Sequence, residues 1–239
     1  MKILALDSSG LVAGVAYLED GVIKGASSVN HMKTHSQTLL LMVDNLVKSL
    51  DAKLDEIDYI AVANGPGSFT GLRIGVATAK GLGFGLDKET IGVSTLEALS
   101  LNWQGVCGLV CPIMDARRSQ VYTAVYKFGE KYPKPDEIHA PESMMIEDLV
   151  NILNDAGETV YFTGDGVPVY RKYIEDNLKV PFVWPTPSNA YQNAANVAVL
   201  ASIYADEGKA VKAADLTPVY LRKPQAERER EEKLNVCNK

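Results

Sequence analysis

Ile3-Leu4-Ala5-Leu6 is an unbroken apolar run closed by Asp7, the pattern of a strand buried on both faces. Ser8-Ser9-Gly10 turns the chain, residues 12–18 return as a second strand, and Glu19-Asp20-Gly21 signals a hairpin into a third over 22–29. A helix follows, with Thr34 as N-cap and Gln37 at the third helical position, a capping box. From 39 to 50 it is apolar at 39, 40, 41, 42, 43, 46, 47 and 50, leaving Asp44, Asn45, Lys48 and Ser49 as a narrow polar stripe. A helix so broadly apolar has more than one partner to bury against.

An apolar strand over 57–63 then leads into Asn64-Gly65-Pro66-Gly67-Ser68-Phe69-Thr70-Gly71-Leu72-Arg73-Ile74-Gly75 and a helix reaching about residue 85. A strand, a glycine-rich turn and a helix N-terminus can together meet an anion. The stretch lacks the lysine of a P-loop, however. A tight turn, with Gly65 and Gly67 in unusual dihedrals and Thr70 capping the helix, is the simpler reading. The helix itself carries Gly75, Gly81, Gly83 and Gly85. Each interior glycine costs roughly 0.8–1.0 kcal/mol relative to alanine, so something must offset the run. Small residues recur four apart in two stripes, Gly71-Gly75-Ala79-Gly83 and Ala77-Gly81-Gly85. The expected arrangement packs one face on the sheet and the other on a further helix, from this chain or a second one. A short strand (90–93) and a helix (95–101) close the first half.

The second half repeats the order. A strand over 106–114 again ends at an aspartate, Asp115, and 120–128 returns. A third strand near 137–140, a helix over 146–154, a strand over 159–162, the turn Thr163-Gly164-Asp165-Gly166 and a helix over 167–177 follow. A strand over 180–183 and a helix over 190–204 end the ordered part. Two β-β-β-α-β-α-β-α passes predict an α/β fold of two similar lobes, 1–102 and 103–224, with a cleft between them. The charge-alternating segment 225–239 is expected to be solvated.

The net charge of −6 and pI of about 5.2 disfavour unaided binding of tRNA or DNA, for which a basic face is usual. An odd cysteine count argues against a disulfide framework. Cys107 and Cys111, four apart on a predicted strand, are too distant to bridge, so buried thiols in a reducing cytoplasm are expected. No signal peptide or membrane-spanning apolar run is read in the sequence, and the expected location is cytoplasmic.

The duplicated plan resembles the actin/Hsp70/sugar-kinase superfold (ASKHA), in which an aspartate after the first strand of each lobe faces nucleotide and metal. Those proteins carry Asp-x-Gly-[Thr/Ser] turns. Here the turns read Asp7-Ser8-Ser9-Gly10 and Asp115-Ala116-Arg117-Arg118, without glycine two after the aspartate. Ser9 and Arg117 would crowd phosphates. Gly164 opens a turn that could be a remnant of an adenosine-side loop or a plain strand-to-helix turn. Asp7, Asp115 and Gly164 are therefore degenerate cleft positions. His31 and His35 are four apart, but the capping box leaves His31 in the loop, so no metal site is expected. His139 lies in a Pro-flanked loop. No nucleophile elbow, dinucleotide fingerprint or Cys-x-x-Cys pair is present, so no catalytic residue is assigned.

Residues 65–75 resemble the hallmark of the TsaB (YeaZ) family, subunits of the bacterial machinery that makes threonylcarbamoyladenosine in tRNA. Ile3-Leu4-Ala5-Leu6-Asp7, His35-Ser36-Gln37, Gly92-Val93-Ser94-Thr95-Leu96, Asp115-Ala116-Arg117 with Val121-Tyr122, and Pro218-Val219-Tyr220-Leu221-Arg222 agree in order, so the resemblance spans nearly the whole chain. It implies a non-catalytic scaffold and activator. Its partner TsaD, of similar fold, carries the metal and transfers threonylcarbamoyl to adenosine 37 of ANN-decoding tRNAs. TsaD's paired-histidine metal motif would fall near Leu101-Asn102-Trp103-Gln104, which does not match it. The resemblance further implies pairing with TsaD, or with a second copy of this chain, through a four-helix interface. For it the expected residues are Leu39, Met42, Leu46, Ile74, Gly75, Thr78, Ala79 and Leu82, and leucine at Gly75 or Ala79 is expected to break pairing in a monomer that still folds. It implies recruitment of the ATPase TsaE through the TsaB–TsaD pair, ATP and metal on partner subunits, no cofactor here, and tRNA contact only through partners. The alternative from the residues is a stand-alone ATP-dependent enzyme of the superfold using Asp7 and Asp115.

Overall fold

In the computed structural model, which describes residues 1–31, 34–129 and 133–222, the two passes form two five-stranded sheets of matching topology. In the first pass β1 (Lys2–Asp7), β2 (Ala13–Glu19) and β3 (Val22–Val29) run antiparallel. Helix α1 (His35–Ser49), strand β4 (Tyr59–Gly65), helix α2 (Phe69–Leu86), strand β5 (Glu89–Ser94) and helix α3 (Thr95–Ser100) complete it. The sheet order is β3-β2-β1-β4-β5, with β4 and β5 parallel to β1. The second pass supplies β6 (Leu109–Asp115), β7 (Gln120–Lys127), β8 (Asp136–Met145), α4 (Ile146–Ala156), β9 (Val160–Thr163), α5 (Val167–Asn177), β10 (Phe182–Val183) and α6 (Ala194–Asp206). Its order, β10-β9-β6-β7-β8, maps strand for strand onto the first when read from the other end. The first strand of each pass thus sits centrally, buried on both faces, as its unbroken apolar run requires.

α1 and α2 cover one face of the first sheet. Leu39, Met42, Val43, Leu46, Val76 and Ala79 pack there on Leu4, Leu6, Val15, Ile60 and Val62. The other face is covered by α6, whose Val197, Ala198, Leu200 and Ala201 join Ile3, Ala5, Ala16, Leu18 and Ile91. α6 is apolar nearly all round, which suits a helix enclosed between layers. α3 turns Leu96 and Leu99 onto Val110, Met114 and Ala124 of the second sheet. A boundary at residue 102 therefore separates the sheets but not their covers. The closing segment also returns to the first lobe: Thr90 and Val211 exchange backbone bonds, Val219 N–H donates to the Asn64 carbonyl at 2.7 Å, and Leu216 is buried beneath α2.

Two caps differ from expectation. Ser68, not Thr70, caps α2, its Oγ accepting from Gly71 N–H at 3.3 Å, because the turn ends two residues earlier. Thr34 occupies the N-cap of α1 without a side-chain cap bond; its carbonyl takes the Gln37 N–H instead. Cys107 lies outside β6, since Gly108 at φ 145° interrupts the extended chain, and it is exposed while Cys111 is buried. Burial pushes the Cys111 thiol up to about 12. The segment 225–239 lies outside the described residues. Among them, no helix is long and apolar enough to cross a membrane.

Candidate functional site

Asp7 and Asp115 end the central strands of the two sheets, and both lie near enough to Asp165 to act on its charge. Their settings differ. Asp7 is buried, and its Oδ1 accepts from Ser9 N–H at 2.9 Å and Ser9 Oγ–H at 2.6 Å. Burial raises its carboxyl to about 6 against the pull of those two bonds. Asp115 is exposed, accepting from Arg117 N–H at 2.8 Å and Tyr170 O–H at 2.9 Å. A third carboxylate, which the sequence reading left as part of a turn, joins them. Asp165, between β9 and α5, is also raised to about 6, by burial first and then by the charges of Asp115 and Asp7, opposed in part by the Asp115 backbone amide. Its Oδ1 has no hydrogen-bond partner.

The Asp7 turn is packed against the rest of the chain. Gln192, on the approach to α6, is 4% exposed with neither amide atom hydrogen-bonded, and its side chain lies where a Cβ on Gly10 would project. The glycine-rich turn is filled from the same side. Ser68 N–H donates to the Ser9 carbonyl at 2.7 Å, and Ser8 Oγ–H donates to the Gly71 carbonyl at 2.9 Å. A Cβ on Gly67 or Gly71 would overlap the carbonyls of Ser9 and Ser8. These glycines thus admit the Asp7 turn of the same chain; the tight turn is present, with Gly65 at φ 137°, but Gly67 serves by its close approach to Ser9 and not by a left-handed φ. Gly164, at φ 101° against the Ile113 carbonyl, likewise serves a strand-to-helix turn. His35 Nε2 lies 2.9 Å from the Gly10 carbonyl.

The second candidate surface is the outer side of α1 and α2. Five of the eight expected interface residues, Leu39, Met42, Leu46, Gly75 and Ala79, are buried in the chain's own core. A Cβ on Gly75 would lie 2.5 Å from Ser8 Oγ and 3.2 Å from Val62 Cγ2, so this stripe faces the sheet. Ile74, Thr78 and Leu82 are half-buried at its edge. The other stripe is open. Ala77, Gly81 and Gly85 are exposed, and a Cβ on Gly81 or Gly85 would meet no atom within 4 Å. Phe84 stands between them 64% exposed, and α1 adds Leu40 and Leu41 at 57% and 62%. Composition alone identified both stripes but could not say which one faced inward.

Two duplicated lobes, with an aspartate ending each central strand, place the chain in the actin/Hsp70/sugar-kinase-like class of α/β folds. It belongs to the TsaB (YeaZ) family. It is 34% identical over 95% of its length, and 96% of the relative's, to the tRNA threonylcarbamoyladenosine biosynthesis protein TsaB of Bacillus subtilis. The Haemophilus influenzae protein of that name is 29% identical, with 93% of this chain and 94% of the relative covered. A solved structure described as YeaZ from Pseudomonas aeruginosa superposes with a TM-score of 0.79 at 27% identity, covering 92% of this chain and 99% of that one. A family model described as TsaD, tRNA N6-adenosine threonylcarbamoyltransferase, matches residues 28–230.

Proposed function

We propose that this chain is a non-catalytic scaffold and activator subunit in the formation of threonylcarbamoyladenosine on tRNA. It pairs with the transferase TsaD through the outer sides of α1 and α2, or with a second copy of itself when TsaD is absent. TsaE joins through that pair, and ATP and metal are handled by the partner subunits in the cytoplasm. The observation that carries this reading is the open stripe of α2. Glycines that weaken a helix and face open space among the described residues make sense when another backbone lies against them. Leu40, Leu41 and Phe84 supply the apolar contacts around that approach. The Asp7 turn supports the non-catalytic part, because the Gln192 side chain and the carbonyls of Ser8 and Ser9 lie against Gly10, Gly71 and Gly67 and leave that turn packed by its own chain.

Light scattering after size exclusion, on this chain alone and mixed with TsaD of the same organism, tests the pairing. A one-to-one complex is expected, replacing any homodimer. No complex at micromolar concentration, with TsaE and nucleotide present, would refute the reading. Calorimetry with Mg-ATP tests the other half: micromolar binding by the isolated chain would favour a stand-alone enzyme using Asp7 and Asp115.

A further inference from the structure

We propose that the cleft rim formed by Arg117, Arg118 and Arg222 docks the phosphate backbone of RNA, so that this subunit touches tRNA directly. The inference rests on the function proposed above for the identity of the RNA, and on local charge for the contact. The chain as a whole is acidic, and several of its cations, such as Lys2, Lys48, Lys127 and Lys134, hold carboxylates. Arg117 and Arg118 are exposed, and among the described residues no carboxylate pairs with either.

Their presentation is built. Arg117, Arg118 and Ser119 have φ of 62°, 56° and 58°, three successive left-handed residues of which none is glycine. That backbone is unfavourable for L-residues and persists only where the surroundings fix it. Here they do: Ala116 N–H donates to the Gln120 carbonyl, Gln120 N–H to the Arg117 carbonyl, and Ile146 N–H to the Ser119 carbonyl. Arg222, the last described residue, donates from Nη1 to the Ala116 carbonyl at 2.9 Å, which brings a third guanidinium to the loop.

The rim continues through aromatic rings. Two residues before Arg222, Tyr220 is 38% exposed and stacks on Phe69 at 5.0 Å. Arg73 lies over the Phe69 ring at 3.9 Å and donates from Nε to Tyr220 Oη at 3.2 Å. Guanidinium forks beside the exposed Tyr220 ring suit a nucleic acid, with phosphates on the forks and a base on that ring, while Phe69 is covered by Arg73 and Tyr220. An acidic peptide would use the forks and leave the ring idle. Among the described residues no carboxylate pairs with the side chain of either Arg117 or Arg118; Asp115, beside them, accepts from Arg117 N–H and Tyr170 O–H.

The variant Arg117→Asn/Arg118→Asn removes both charges and keeps a residue that tolerates left-handed backbone. Fluorescence anisotropy with an unmodified ANN-decoding tRNA, on this chain alone and on its TsaD complex across a salt series, reads the effect. Tenfold or greater weakening is expected in both settings. The slope of log affinity against log salt should flatten by about 1.5, two contacts at roughly 0.7–0.9 each. Unchanged affinity and slope, or no tRNA binding by wild-type protein in either setting, would overturn the docking surface. Loss of TsaD complex with tRNA binding by the chain intact would assign the rim to an acidic protein partner and overturn it equally. Failure of the wild-type chain to pair with TsaD would strike the proposed function instead, and the measurement on the chain alone would still decide the rim.

Discussion

Asp165 and Asp7 are placed where ionisation is unfavourable, and the consequence can be measured. Each carboxyl titrates near 6 in the folded chain against 3.8 for an ordinary aspartate. Between those values the folded state holds protons that the unfolded state has released. Stability is therefore lost as pH rises through 6 and recovered on acidification towards 4. At neutral pH the cost is about 3 kcal/mol per group by linkage, as an upper figure. Asp165→Asn should raise the melting temperature by several degrees at pH 7.5 and lose most of that advantage at pH 4.5. An equal gain at both pH values would show that the carboxylate's charge is not the cause. Asp7→Asn should behave alike, since an amide oxygen can still accept both Ser9 bonds. Asp7 and Asp115 stood out in the sequence because each closes an apolar strand. Asp165 and Gln192 did not, because their burial arises only when the turn at 165 is folded against residues 113–115 and Gln192 against Gly10.

The helices α1 and α2 were legible as helices, and the two small-residue stripes of α2 were legible as contact faces. Which stripe met the sheet was not. Both read as small residues four apart, and the deciding fact is the position of Ser8, separated from α2 by three strands and a helix and so beyond any periodicity argument. The correction changes the mutational expectation. Gly75→Leu has to displace Ser8 and Val62, so it should unfold the lobe, and Ala79→Leu enlarges a fully buried site with the same result. Gly81 is open and helical. Gly81→Ala should stabilise the monomer by about 0.8–1.0 kcal/mol, and Gly81→Leu should leave the fold intact while abolishing pairing. Urea denaturation beside light scattering separates these outcomes. A Gly81→Leu chain that still pairs would remove this stripe from the interface.

At the scale of the molecule, the duplication seen in the element order is real but the lobes are not independent. The last helix of the second pass, α6, provides the cover for Ile3, Ala5, Ala16, Leu18 and Ile91 on the first sheet, and residues 211–219 strap its edge. Sequence order assigned α6 to the second lobe because nothing in a helix's own composition names the sheet it will cover. A fragment of residues 1–102 keeps α1 and α2 on one face of the first sheet and exposes an apolar face on the other. It should fail to melt cooperatively and should bind a hydrophobic dye, whereas the full chain unfolds in one transition. Circular dichroism in urea decides: a sharp transition for 1–102 alone would mean that α6 is dispensable to the first lobe. With α6 required, the cleft between the lobes cannot open by simple separation of two folded halves. α3, packed on the second sheet, and α6, packed on the first, also touch each other and so tie the two sheets into one body.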